Sequence, residues 1–157
     1  MDKNLTNAKT YLNQARLLDQ RINAKLERIA RLRSLTEKIT VTLSPVAGAG
    51  SPNPTALEDQ IIRLMEAEED LNADIDRLVD LKKEIDEVLK MIDDPDCRLV
   101  LDRRYLCGDS WNEIADLMNF QRRTLFKIHD RALLLVDEIL QGETYRKIHE
   151  NWAQKGT

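Results

Sequence analysis

Aromatic residues make up only 4% of these 157 residues, and there are just five glycines, four prolines and two cysteines. So few aromatics and turn formers do not suit a β-rich globule. The 33% of charged residues points instead to long, solvated helices. Cys97 and Cys107 form no CxxC pair and have too few partners for a zinc site, so they read as reduced thiols inside a cytoplasmic helical core. No apolar run exceeds the five residues 132–136, which excludes a membrane span. The N-terminal MDKNLTNAK lacks the apolar core of a secretory signal. Glycine-rich phosphate loops, metal-ligand clusters and recognised Ser/His/Asp motifs are missing too, so neither an enzyme nor a bound metal or cofactor is expected.

What the chain does have is charge, and the charge is segregated. The formal net charge is −4, but residues 1–43 carry nine Lys/Arg against four Asp/Glu, whereas residues 55–93 carry five against thirteen. Residues 94–157 are nearly balanced, with ten against eleven.

From Leu5 through Leu12, Leu18, Ile22, Ile29 and Leu35 to Leu43, apolar residues recur every three or four positions. The spacing predicts one long amphipathic helix. The stretch 44–54, SPVAGAGSPNP, cannot continue it and suits a flexible link. Thr55 and Glu58 have the spacing of a capping box that restarts helix.

A heptad follows, with one row at Leu57, Leu64, Leu71, Leu78, Ile85 and Ile92 and a second at Ile61, Glu68, Ile75, Lys82 and Leu89. The economical arrangement is an antiparallel coiled-coil hairpin with the basic helix against the acidic one. The same pattern also suits pairing between helices of two chains. The wide apolar stripe favours a dimer or larger bundle either way.

Residues 98–133 carry the most specific pattern. Asp94-Pro95 opens a helix with an N-cap and a first-turn proline, Leu99, Leu101, Tyr105 and Leu106 supply its apolar side, and Gly108 ends it. Ser110 and Glu113 form a second capping box, starting a short helix whose Trp111, Ile114, Ala115, Leu117 and Met118 face inward. Asn119-Phe120 make a turn, and a third helix starts at Gln121.

On that third helix Leu125, Ile128, His129, Ala132, Val136 and Ile139 share one side, which makes His129 a core residue. The outward face at 121–131 carries Arg122, Arg123, Lys127 and Arg131 against Asp130, as phosphate contact and guanine reading require. Phe126 suits either a thymine methyl or a contact with the first of the three helices.

The order L-x-x-R-Y-x-x-G-x-S-W-x-E-I-A-x-x-M, then R-T-L and R-A-L, is carried by Leu101, Arg104-Tyr105, Gly108, Ser110-Trp111, Glu113-Ile114-Ala115, Met118, Arg123-Thr124-Leu125 and Arg131-Ala132-Leu133. It resembles the promoter-reading region 4 of bacterial sigma-70 factors over about 40 residues. With Trp111, His129, Ala132 and Leu133 it is more similar to small sigma-like proteins of phages and prophages of Gram-positive bacteria, with ArpU- and RinA-type regulators as relatives in style.

The resemblance implies DNA contacts by Gln121, Arg122, Arg123, Thr124, Lys127 and Arg131. Arg103 and Arg104 are implied to touch phosphate or RNA polymerase. Nothing upstream resembles sigma region 2, so a complete sigma factor is not implied.

The expectation is thus an all-α chain: a coiled-coil hairpin over 1–93, a region 4-like helix-turn-helix over 94–142 and an amphipathic tail over 143–157. Its expected partners are double-stranded DNA, a second copy or more of itself, and RNA polymerase. The competing classes are a small terminase subunit, which combines similar parts in the opposite order, and a coiled-coil adaptor that binds no DNA. The outward phase of Tyr145, Ile148 and Trp152 further implies that Gly142 breaks the third helix and that the tail folds back.

Overall fold

Apolar residues every third or fourth position produce helix throughout the computed structural model, which describes residues 3–42 and 54–155. Six α-helices follow one another among those residues: α1 (Lys3–Thr42), α2 (Pro54–Leu89), α3 (Pro95–Leu101), α4 (Trp111–Met118), α5 (Arg122–Gln141) and α6 (Glu143–Lys155). A π-helical turn, Asp102–Leu106, extends α3. The expected link lies outside the described residues except for Pro54. That proline takes the first position of α2, where its missing N–H and fixed φ cost nothing. Thr55 therefore sits inside the first turn and not before it.

The chain divides into two compact units, residues 19–77 and residues 1–18 with 78–157. The division expected at 93/94 thus falls inside the second unit, because the ends of α1 and α2 share a core with the shorter helices.

Within 19–77, α1 and α2 pair through ion pairs whose order fixes their direction. Arg21 grips Asp74 with two N–H groups at 3.0 and 2.9 Å, Lys25 reaches Asp70 at 2.6 Å and Asp74, and Arg33 reaches Glu68 at 2.6 Å. Rising numbers on α1 meet falling numbers on α2, so the two helices of one chain form an antiparallel hairpin. Its buried seam includes Ile22, Ile29 and Leu71.

The second heptad row keeps Leu89 buried but is displaced by one residue between Leu71 and Leu78. Asp74 is buried at 4% exposure, whereas Ile75 is turned outward at 37%. A three-residue step after Leu71 puts a carboxylate between two cations, and a four-residue step would have put an isoleucine there. Ile61, Ile62 and Met65 are left exposed on the same helix.

The other unit buries Ala8, Leu12 and Ala15 from α1, Ile85, Val88 and Leu89 from α2, and Val100, Leu101, Tyr105, Ile114, Leu125, Ile128, Ala132 and Val136 from the shorter helices. Leu99 and Leu117, expected to face inward, are 40% and 56% exposed, and Val100 takes the inward place next to Leu99. Both helices are so short that a one-residue change of phase moves a side chain by 100°. Of the two thiols, Cys97 is buried and Cys107 is exposed, which corrects the expectation of two core cysteines.

Gly142 breaks the long third helix with an extended backbone (φ −81°, ψ 159°). Helix α6 then returns Tyr145 to the edge of Tyr11, with ring centres 5.8 Å apart. The Trp152 side chain lies outside the described residues. Among the described residues no helix is long and apolar enough to cross a membrane.

Candidate nucleic-acid interface

A pair of short-range devices holds the turn between α4 and α5. The Ser110 hydroxyl accepts from the Glu113 N–H at 3.2 Å while the Glu113 carboxylate accepts from the Ser110 N–H at 2.7 Å, so the capping box closes at the start of α4. At the other end Asn119 adopts a left-handed backbone (φ 58°, ψ 39°), which asparagine tolerates better than most residues. The Phe120 N–H then bonds to the Ala115 carbonyl at 3.1 Å. Three residues therefore suffice to redirect the chain into α5, and Gln121 becomes its N-cap.

Gln121 makes no side-chain hydrogen bond to that cap. The first-turn N–H groups of α5 are thus not closed by a capping side chain, and they lie at the positive end of a 20-residue helix. Gln121, Arg122, Arg123, Thr124 and Lys127 are all exposed around them. Among the described residues, no carboxylate lies within ion-pair distance of Arg122, Arg123 or Lys127.

Arg131 differs from the other expected contacts. Its guanidinium bonds to Asp94 at 2.8 Å and to the Cys97 sulfur at 3.4 Å, which ties α5 to the start of α3. Asp94 accepts the Asp96 and Cys97 N–H groups as well, and the Cys97 bond is the main reason its carboxyl lies below the usual range. Arg131 is thus engaged inside the fold, and five of the six expected residues remain grouped at the N-terminal end of α5.

An aromatic cluster supports that end from behind. Phe126 meets Trp111 of α4 edge-to-face at 5.2 Å while staying 38% exposed, so its ring contact is with the second of the three helices rather than the first, and it still presents an edge to solvent. The Arg122 guanidinium lies 5.7 Å over the Phe126 ring, and that of Arg104 lies 4.5 Å over Trp111. Trp111 also abuts His129 at 4.7 Å, and the His129 Nε2 lies 2.8 Å from the Tyr105 hydroxyl. Burial, followed by the charges of Lys9 and Arg104, pushes the His129 pKa down to about 4. The ring is a neutral core group, as its place on the inner edge of α5 predicts.

The sequence reading missed the stacking of Arg104 on Trp111 and the approach of Arg16 from α1. Arg16 donates to the Arg104 carbonyl at 3.2 Å, across 88 positions of chain. No local motif marks such a contact. The only hint is that Arg16 follows Lys9 by one heptad, which puts both on one face of α1.

An antiparallel helical hairpin over 19–77, a unit of shorter helices with the ends of α1 and α2, and an exposed basic start of α5 define an all-helical protein. No group of three His, Cys, Asp or Glu side chains is placed to hold a metal among the described residues. The chain belongs to the family described as protein of unknown function DUF1492, whose profile matches residues 50–137. Neither a curated protein nor a solved structure matches it. The matched stretch covers α2 to most of α5, so the second helix of the hairpin and the basic helix start fall within it, and α1 does not.

Proposed function

We propose that the chain is a sequence-specific regulator of transcription that binds double-stranded DNA, of the kind found in phages and prophages. On this reading α4 and α5 act as a sigma region 4-like helix-turn-helix, with α5 in the major groove. The observation that carries it is the N-terminal end of α5, where Arg122, Arg123 and Lys127 stand exposed without carboxylate partners among the described residues. Cations left unpaired beside open helix N–H groups suit phosphate oxygens and the acceptor edge of guanine. Gln121 and Thr124 supply neutral donors and acceptors next to them. Arg131 keeps its place in the fold and is left out of the reading set.

A single short helix start with a few cations binds DNA weakly and in a salt-sensitive way. Two copies on two half-sites, or RNA polymerase as a neighbour, supply the remainder. Exposed Ile61, Met65 and Ile75 on the hairpin favour the first of these, since apolar side chains on the outer side of α2 gain by self-association.

Mobility shifts with promoter fragments test the reading. Wild-type protein shifts DNA, and Arg123→Ala/Lys127→Ala abolishes the shift while leaving the melting temperature unchanged. A wild-type protein that shifts no duplex rules the reading out in favour of an adaptor.

A further inference from the structure

Helix α1 lies outside the stretch matched by the family, yet it delivers a second arginine to the aromatic cluster. Arg16 and Arg104 approach closely enough for the Arg16 guanidinium to bond the Arg104 carbonyl at 3.2 Å. Among the described residues no carboxylate forms an ion pair with either one. The acidic groups at hand are already engaged: Asp109 holds Arg103, and Glu113 closes the cap of α4. Both arginines are partly exposed. Among the described residues no carboxylate therefore offsets the positive charge of this pair; the Arg104 guanidinium rests on Trp111 and donates to the Asp109 carbonyl at 3.1 Å, while burial and then Arg16 work against its charge.

The pair is also continuous with the start of α5. Arg104 covers Trp111, Trp111 meets Phe126, and Arg122 covers Phe126, at 4.5, 5.2 and 5.7 Å. Two aromatic rings in contact, each covered by a guanidinium, thus link the Arg16–Arg104 pair to the helix start proposed to read DNA. The π-helical turn at Asp102–Leu106 carries Arg104 into it, and such turns are often found at functional sites. Planar, permanently charged guanidinium groups match the paired oxygens of a phosphodiester.

We propose that Arg16 of α1, together with Arg104, forms a phosphodiester-binding site that carries the DNA footprint beyond the helix-turn-helix and onto the long hairpin. This rests on the DNA-binding reading above, and its new element is Arg16. Lys9, one turn of the heptad away on the same face, adds to the positive field there. An arginine that served only to tether α1 to the Arg104 carbonyl would have no effect on counterion release, and that difference can be measured.

Anisotropy of a labelled duplex of arbitrary sequence, followed over a salt series, makes the comparison, because the phosphate contribution is independent of sequence. Arg16→Gln keeps a hydrogen-bond donor but loses the charge. It lowers affinity several-fold at low salt and reduces the slope of log K against log salt by about 0.9, the value of one phosphate contact. Arg16→Lys retains the wild-type slope. If Arg16→Gln keeps the wild-type slope while Arg123→Ala/Lys127→Ala loses binding, the site is disproved and the DNA-binding reading stands. If wild-type protein binds no duplex, both are disproved. A measurement without substitution guards against a variant that does not fold: DNA protects Arg16 from phenylglyoxal in wild-type protein, read by peptide mass. Equal modification with and without DNA overturns the proposal.

Discussion

The Tyr105 hydroxyl and the Nε2 of His129 lie 2.8 Å apart, and both side chains are buried. Burial holds the Tyr105 hydroxyl protonated to about pH 12 and the His129 ring neutral down to about pH 4. An unfolded histidine binds its proton near pH 6.5. Between pH 6.5 and 4 the unfolded chain therefore holds a proton that the folded chain lacks. Stability is full above 6.5 and falls as the pH drops through this window, by about 3 kcal/mol at its lower end. Urea denaturation across the window should show that slope in wild type and a flatter one in His129→Gln. Equal slopes in the two proteins would mean that the fold does not hold this ring neutral.

Ser110 and Glu113 set where α4 starts, and through it the position of the turn at Asn119. Ser110→Ala removes the acceptor for the Glu113 N–H and should cost about 1 kcal/mol, the usual effect of losing an N-cap. Ser110→Asn, which can cap in the same way, should recover most of the loss. A stability unchanged by Ser110→Ala would show that the turn at Asn119 holds without the cap.

Most of these local devices could be read from residue order alone. Caps act over three residues, so Asp94, Ser110 and Gly142 mark element ends that the structure places where they imply. The heptad spacing likewise located the two long helices. What could not be read was the outcome of competition between distant groups. Asp74 and Ile75 are adjacent, and only the arrival of Arg21 and Lys25 from α1 decides which of them is buried. Arg123 and Arg131 both count among the basic residues of the outward face by sequence, and the difference between them is made by Asp94, 37 positions before Arg131. Arg16 joined the cluster for the same kind of reason, through a contact that no sequence window spans.

Buried Asp74 gives a direct test of the hairpin. Its pKa lies below the usual range because Lys25, then Arg21, hydrogen-bond the carboxylate. The contribution of this group is present above the ordinary carboxylate pKa and is lost as the pH falls through the lowered one. Asp74→Asn should thus lower the denaturation midpoint at neutral pH, since it leaves Arg21 without its carboxylate and Lys25 with Asp70 alone. The gap to wild type should close in acid, where wild type loses the charge as well. Glu69→Gln, at an exposed position of the same helix, should change little at either pH.

The contact of Tyr145 with Tyr11 anchors α6. Tyr145→Ala should cost about 0.5–1.5 kcal/mol for the aromatic pair. Removal of residues 143–157 should cost at least as much and speed hydrogen exchange in the first turns of α1. Identical melting of full-length and shortened protein would mean that α6 adds nothing to this core.

Arg123 and Arg131 lie eight residues apart on α5 and should fail in opposite ways. Arg131 joins α5 to Asp94 and Cys97, so Arg131→Ala should lower the denaturation midpoint slightly. Its effect on the salt slope of DNA binding should be nil, because this guanidinium already has its carboxylate. Arg123 touches no carboxylate among the described residues, so Arg123→Ala should leave the midpoint unchanged and reduce the slope by about 0.9. Parallel denaturation and anisotropy series on the two variants separate the cases. A slope lost in Arg131→Ala but kept in Arg123→Ala would invert the assignment and move the DNA-facing surface toward α3.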